Sequence, residues 1–287
     1  MTVTLTQPYS FSFNGLTFGG TDSPYQILSV DGLEALPELR TQDDNRGYAD
    51  GMFSGRDFYA GRTVSIIFNT FGANGVSAQQ NYNIIQSYLL PQTSGTTPLY
   101  FLMPPSDTQF LNARVRALRT AVDPDYTYGK ITSQVEFFCP NPAYFSNNEQ
   151  TASLAYTPAT GRIYNRTYNL VYGGGSVEIT TTITNNGWAN AYPTITLNGP
   201  ITDPILGNQT QGYALNFTGT YTDTDSLVID LYNKLITLNG QPARNLLISG
   251  EWFWAQPGTN LFYLTGDAGS AVVGTTQATV TWNSAYI

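Results

Sequence analysis

Apolar and polar positions alternate with period two along most of this chain. Phe11, Phe13, Leu16 and Phe18 flank Asn14–Gly15, and an Asn-Gly pair between alternating apolar runs is the strongest short-range hairpin signal. Val64–Phe68, Leu99–Met103, Val115–Leu118 and Ile131–Phe138 predict further strands in the first half. In the second half the pattern predicts strands at Ile163–Val171, Val177–Ile183, Tyr192–Leu197, Tyr213–Phe217, Leu227–Leu238, Leu246–Ile248, Leu261–Leu264 and Ala278–Trp282. Asn198–Gly199 and Asn239–Gly240 supply turn chemistry between them. Short strands punctuated in this way predict a sandwich or a barrel.

One stretch departs from that period. Ala78, Tyr82, Ile85 and Leu89 recur on one helical face, so the spacing predicts a helix over 77–90. Ser77 with Gln80 offers a capping box, and Pro91 closes the far end. The fold class expected is therefore mostly β: an N-terminal β-sandwich with one α-helix, α+β in character, followed by an all-β sandwich. The segment Cys139–Gln150, with two prolines and three asparagines, breaks the ladder and divides the chain into domains 1–145 and 146–287.

Composition removes most catalytic chemistry. The 287 residues contain no histidine and one cysteine, so there is no Ser-His-Asp arrangement, no histidine-bound metal and no internal disulfide. No phosphate-binding glycine loop or nucleophile elbow occurs, and no cofactor is expected. Cys139, beside two phenylalanines, reads as a small buried hydrophobe. Asp123–Asp125 and Asp223–Asp225 read as turn residues rather than a paired acid and base. The expectation is a protein that is not an enzyme. The net charge of −8 offers nothing to attract a phosphate backbone. No run of about 20 apolar residues is present, and the first residues lack the basic and apolar regions of a signal peptide.

Two features remain as candidate surfaces. Asp31–Arg62 carries seven acids, four arginines and five glycines, and reads as a long irregular loop. Its cations are all arginine, the residue suited to bidentate pairing with carboxylates at interfaces. Arg40, Arg46, Asp50, Arg56, Asp57 and Arg62 are thus candidates for pairing with acids and cations of a neighbouring copy; internal ion pairs are the other reading. Trp252 and Trp254 share one face if their segment is a strand, either as a platform for sugar rings or as core packing. Sequons at Asn165, Asn208 and Asn216 carry little weight without a secretion signal.

The order of these segments resembles a known family. The hairpin FSFNGLTFGG, then YQILSVDGLEALPELRTQDDNRGYADG, GRDFYAGRTVSIIF, one helix and CPNPAYF look like the N-terminal domain of siphophage distal tail proteins. AYPTITLNGPITDPILGN, DSLVIDLYNKLITLNGQ and PGTNLFYL are similar to their galectin-like C-terminal β-sandwich. The resemblance implies a tail-tube-like N-terminal domain forming a hexameric ring at the tail tip, with Asp31–Arg62 in the ring-forming region. It implies contact with the tail-tube protein on one side and the tail-associated hub protein on the other. DNA passes only as transiting cargo, and assembly takes place in the host cytoplasm without membrane insertion. The C-terminal domain then holds receptor-binding proteins or contacts host surface glycans; true galectins use a histidine in the sugar site, which this chain lacks.

Overall fold

A computed structural model describes residues 3–21, 23–91, 95–121, 123–156, 179–267 and 276–287. The expected strand at Ile163–Val171, the first residues of that at Val177–Ile183, and Asn165 lie outside them. The chain divides into two compact units, Met1–Asn147 and Asn148–Tyr286. The described elements are strands apart from one α-helix and two short 3-10 turns.

The first unit begins with β1 (Ser10–Phe13) and β2 (Leu16–Phe18), paired through Phe13 and Leu16 around Asn14–Gly15, as the alternation predicted. Asn14 and Gly15 both have positive φ, the conformation this tight turn demands. β3 (Tyr25–Asp31) leads into four two-residue strands, β4 (Leu39–Arg40), β5 (Asp44–Asn45), β6 (Met52–Phe53) and β7 (Phe58–Tyr59). β8 (Arg62–Phe71), α1 (Gly75–Tyr88), β9 (Thr97–Leu102), β10 (Gln109–Ala121), β11 (Lys130–Cys139) and β12 (Tyr144–Ser146) complete it. The strand order is β2-β1-β9-β10-β11-β8-β3. β10 serves three partners: Gln109–Ala113 pairs with β9, Gln109 and Phe110 also with β12, and Arg114–Ala121 with β11, with a register shift between Val115 and Ala117. Bulges of this kind bend a strand out of one sheet and into the next. Phe11, Phe13, Phe18, Phe68 and Phe137 fill the core between them, all fully buried.

Helix α1 starts one turn earlier than the sequence suggested. Asn74, not Ser77, is the N-cap: its side chain accepts from Ser77 N, and Ser77 Oγ accepts from Asn74 N, both at 3.0 Å. The expected face holds, because Ala78, Ile85 and Leu89 are buried and the Tyr82 hydroxyl accepts from Thr120 at 2.8 Å.

The second unit consists of two sheets. Its strands are β13 (Gln150–Tyr156), β14 (Ile179–Asn185), β15 (Thr194–Asn198), β16 (Ile201–Asn208), β17 (Tyr213–Phe217), β18 (Thr220–Tyr221) and β19 (Ser226–Asp230). β20 (Leu235–Leu238), β21 (Gln241–Pro242), β22 (Leu247–Gly250), β23 (Gly258–Asp267) and β24 (Thr276–Trp282) follow. One sheet runs β13-β24-β15-β19-β20-β21 and the other β14-β23-β16-β17-β22. The run Leu227–Leu238, read as one strand, is a hairpin turning at Leu231–Lys234, where Lys234 takes positive φ. β16 was not among the expected strands, and its interior holds Pro204, a residue that strand interiors disfavour. A register shift between Thr202 and Ile205, with Asp203 at φ 44°, absorbs the proline.

Candidate interaction surfaces

Asp31–Arg62 is not an irregular loop. β4 pairs with β7 and β5 with β6, so the segment doubles back as a thin two-stranded arm. Ala60 N donates to Glu38 O at 2.8 Å, and Arg46 N to Gly51 O at 3.3 Å. Every residue from 38 to 59 is exposed, including Leu39, Tyr48, Met52, Phe53, Phe58 and Tyr59. An isolated ribbon of this kind is marginal in water.

Arg40 and Arg56 lie over the Phe58 ring at 5.7 and 5.2 Å, and Arg46 over Phe53 at 5.1 Å. Asp43 Oδ1 accepts from Gly55 N at 2.8 Å. Among the described residues, the salt bridges are Arg119–Glu136 and Lys130–Asp125. Asp50, Asp57 and the other acids of the arm therefore stand without a cation. The internal-ion-pair reading of the segment does not hold.

Arg62 departs from the set it was placed in. It is buried at the root of the arm, 2% exposed. Its Nε donates to Pro142 O at 3.0 Å, and its Nη1 to Gly32 O at 3.0 Å, to Ala35 O at 2.7 Å and to Leu33 O. The Tyr144 ring lies 5.8 Å away. Burial pulls its pKa below the ordinary arginine value, while Tyr144 and then Cys139 act in the opposite direction. A guanidinium so enclosed pins the chain on both sides of the arm to the segment after β11. Sequence could not separate this arginine from its three exposed neighbours, since all four share one charge-rich stretch. Gly32 and Gly61 make the enclosure possible. A Cβ on Gly32, at φ +77°, would sit 2.0 Å from Thr63 O, and one on Gly61 would meet the Phe138 ring at 2.8 Å.

A second charged feature was missed, although ARVRALR in β10 shows it as arginines at alternate positions. Arg114 and Arg116 are exposed and lie over Phe138 at 5.4 and 4.1 Å. Arg116 also edges a groove of about 500 Å³ between α1 and β10, whose walls include Tyr82, Leu89, Leu90, Val115 and Leu118. Cys139, by contrast, is fully enclosed; burial pushes its thiol up to about 12, against a lowering by Arg62.

In the second unit, Trp252 and Trp254 lie after β22, outside any strand. The alternation nevertheless operates, since Phe253 between them is fully buried. They have different neighbours. Arg244 lies over Trp252 at 5.6 Å, whereas Trp254 contacts Tyr192 at 6.4 Å and Tyr213 at 6.1 Å. Tyr192 also meets Tyr232 edge-on at 5.6 Å, and these two are 40% and 50% exposed. Burial raises the pKa of both hydroxyls. The segment is held from beneath by buried asparagines: Asn208 Nδ2 donates to Trp254 O at 2.8 Å and to Asn260 Oδ1 at 3.2 Å. Asn185 Nδ2 donates to Ala189 O at 2.7 Å and Ala255 O at 3.2 Å. Asn208 is fully buried, so its sequon presents no acceptor nitrogen.

Residues 186–286 match the family model of the siphovirus-type tail component, C-terminal domain. The whole chain is similar in fold to SPP1 Dit, a protein described as a paradigm of the hub adsorption apparatus in phages that infect Gram-positive bacteria. That likeness has a TM-score of 0.68 at 16% identity and covers 98% of this chain and 100% of the other. A chain of the phage P2 baseplate in its activated conformation aligns at a TM-score of 0.47 and 11% identity, over 96% and 98%. No curated protein matches the chain. The resemblance to siphophage distal tail proteins therefore stands on two findings: the family match over the C-terminal third and the shared fold over the whole length. No helix among the described residues is long and apolar enough to cross a membrane.

Proposed function

We propose that this chain is a structural virion protein that forms a ring, hexameric when closed, at the distal end of a phage tail. In this reading the first unit is the tail-tube-like ring-former, residues 1–145 in the sequence division, and joins the tail tube to the tail-tip hub. The galectin-like second unit, 146–287, carries the receptor-binding apparatus. Genome DNA passes through the lumen, and assembly takes place in the host cytoplasm. The observation that supports the reading most directly is the exposed arm, with apolar side chains uncovered and acids unpaired. A ribbon lacking its own core gains stability from a neighbouring subunit, and obligate interfaces resemble a core cut in half. Solution mass of the purified chain with negative-stain class averages tests it. A six-fold ring with a central hole is expected, and a strictly monomeric chain, alone and with its tail neighbours, counts against it.

A second reading rests on the aromatic cluster of the second unit. Tyr192, Tyr232 and Trp254 form a contiguous, part-exposed set on which sugar rings could stack. Binding of host envelope glycans that disappears in Tyr232→Ala and Trp254→Ala, with the fold retained, is the expected result if this surface is a carbohydrate platform. Trp252 belongs to a different neighbourhood and serves as the control.

A further inference from the structure

We infer that the arm of one copy docks into the groove between α1 and β10 of a second copy, with arm acids against Arg114 and Arg116. The inference rests on the ring reading and adds which two surfaces meet. Charge complementarity carries it. The three exposed arginines of the arm lie over its own Phe53 and Phe58. Glu34, Glu38, Asp43, Asp44, Asp50 and Asp57 are exposed with no cation. β10 has the opposite imbalance. It holds three of the chain's 12 cations within six residues, and only Arg119 of the three meets an acid.

The apolar parts correspond as well. Leu36, Leu39, Met52 and Phe53 are 53 to 70% exposed on the arm. Leu89, Leu90, Val115 and Leu118 line the groove. The fifteen residues from Gly32 to Arg46 can reach at most roughly 45 Å. The pairing is not made within one copy, because residues 38–59 are exposed throughout. Two different surfaces of one chain that recognise each other give a head-to-tail contact, which closes into a ring where the rotation allows and otherwise propagates.

Analytical ultracentrifugation of the full chain, with circular dichroism on every variant, tests this. Glu34→Arg/Glu38→Arg and Arg114→Glu/Arg116→Glu are each expected to weaken self-association by at least about tenfold, as close charge pairs across interfaces do. The chain carrying all four changes is expected to recover to within about threefold of wild type. A four-fold variant as weak as either pair, with its fold intact, overturns the inference. So does a wild-type chain whose association neither pair affects; the ring reading then survives, with the arm assigned to another tail protein or another face. A wild-type chain that associates neither alone nor with its tail neighbours overturns both. Cross-linking supplies an independent readout, because the native thiol is buried. Copies with Leu36→Cys and copies with Leu90→Cys are expected to form a disulfide when mixed and not when kept apart, and its absence at associating concentrations overturns the docking.

Discussion

In the second unit, Asn185, Asn208 and Asn260 are buried to within 1% of fully and donate to one another or to the backbone around Trp254 and Ala255. In the first unit, the comparable buried polar group is Arg62, whose charge is answered by four carbonyls and no carboxylate. Beyond it stretches an arm whose acids meet no cation. The asparagines of the second unit are thus satisfied internally, with Gln211 Nε2 left unpartnered among its described buried groups, as Arg62 Nη2 and Thr70 Oγ1 are in the first unit. The first unit is internally closed only as far as the arm's root, and its outer part is shaped for something else. Buried polar groups retained in this way fix geometry rather than maximise stability.

The largest expected effect tests the root. Arg62→Met removes all four hydrogen bonds at once, from Nε and Nη1, and leaves buried carbonyls behind, so urea unfolding of the first unit is expected to lose about 4 kcal/mol. Limited proteolysis within residues 38–59 should accelerate in the same variant. An unchanged cleavage rate would show that the arm is held by something other than the guanidinium. Asn208→Leu makes the matching test in the second unit: Trp254 O and Asn260 lose a donor, and a loss of about 3 kcal/mol is expected from denaturant midpoints. If Asn208→Leu proves neutral, the contrast between the units collapses.

A pH titration separates them by another route. The Cys139 thiol has its folded pKa raised to about 12 from 9.0. The folded state therefore prefers the neutral thiol, its contribution is fully present below pH 9, and stability is lost as pH rises from 9 toward 12. At pH 10.5 the loss is expected to be about 2 kcal/mol, at 1.36 kcal/mol for each pH unit above the unfolded value. Cys139→Ala should remove the thiol's share of the slope from the first unit, leaving that of Tyr25, and should not alter the slope that Tyr192, Tyr221 and Tyr232 give the second. The smallest effect is at the helix: Asn74→Ala should cost about 1 kcal/mol of first-unit stability by thermal unfolding, whereas Gln80→Ala should be near neutral.

How legible these features were depended on how local their causes are. The β1–β2 hairpin was readable because Asn14–Gly15 and its flanking phenylalanines act within eight residues. The apolar face of α1 was readable because Ala78, Ile85 and Leu89 repeat at helical spacing, although the cap was placed one turn late. β16 was not among the expected strands; Pro204 breaks the rule for strand interiors, and only the bulge beside Asp203 explains how it is tolerated. The arm was read as a loop because two-residue ladders such as Leu39–Arg40 against Phe58–Tyr59 leave no periodicity to detect. The roles of Arg62 and Asn208 were invisible because their partners lie far away in sequence, Arg62 and Pro142 being 80 residues apart. Of the candidate surfaces, Trp254 was visible as an alternating aromatic, whereas the tyrosines beside it come from three other parts of the chain and could not be paired with it by spacing.

That 80-residue separation also orders events in time. During synthesis the arm leaves the ribosome well before Pro142, the acceptor that joins its root to the rest of the unit, and before β10 exists to present a groove. At about 5–20 residues per second, the delay to Pro142 is roughly 4–16 s. A nascent chain therefore carries its reaching element before it carries the surface that receives one. In a head-to-tail contact only the receiving copy must have been made past the end of its first unit, so the arm of an unfinished chain can meet a groove that an older copy already presents.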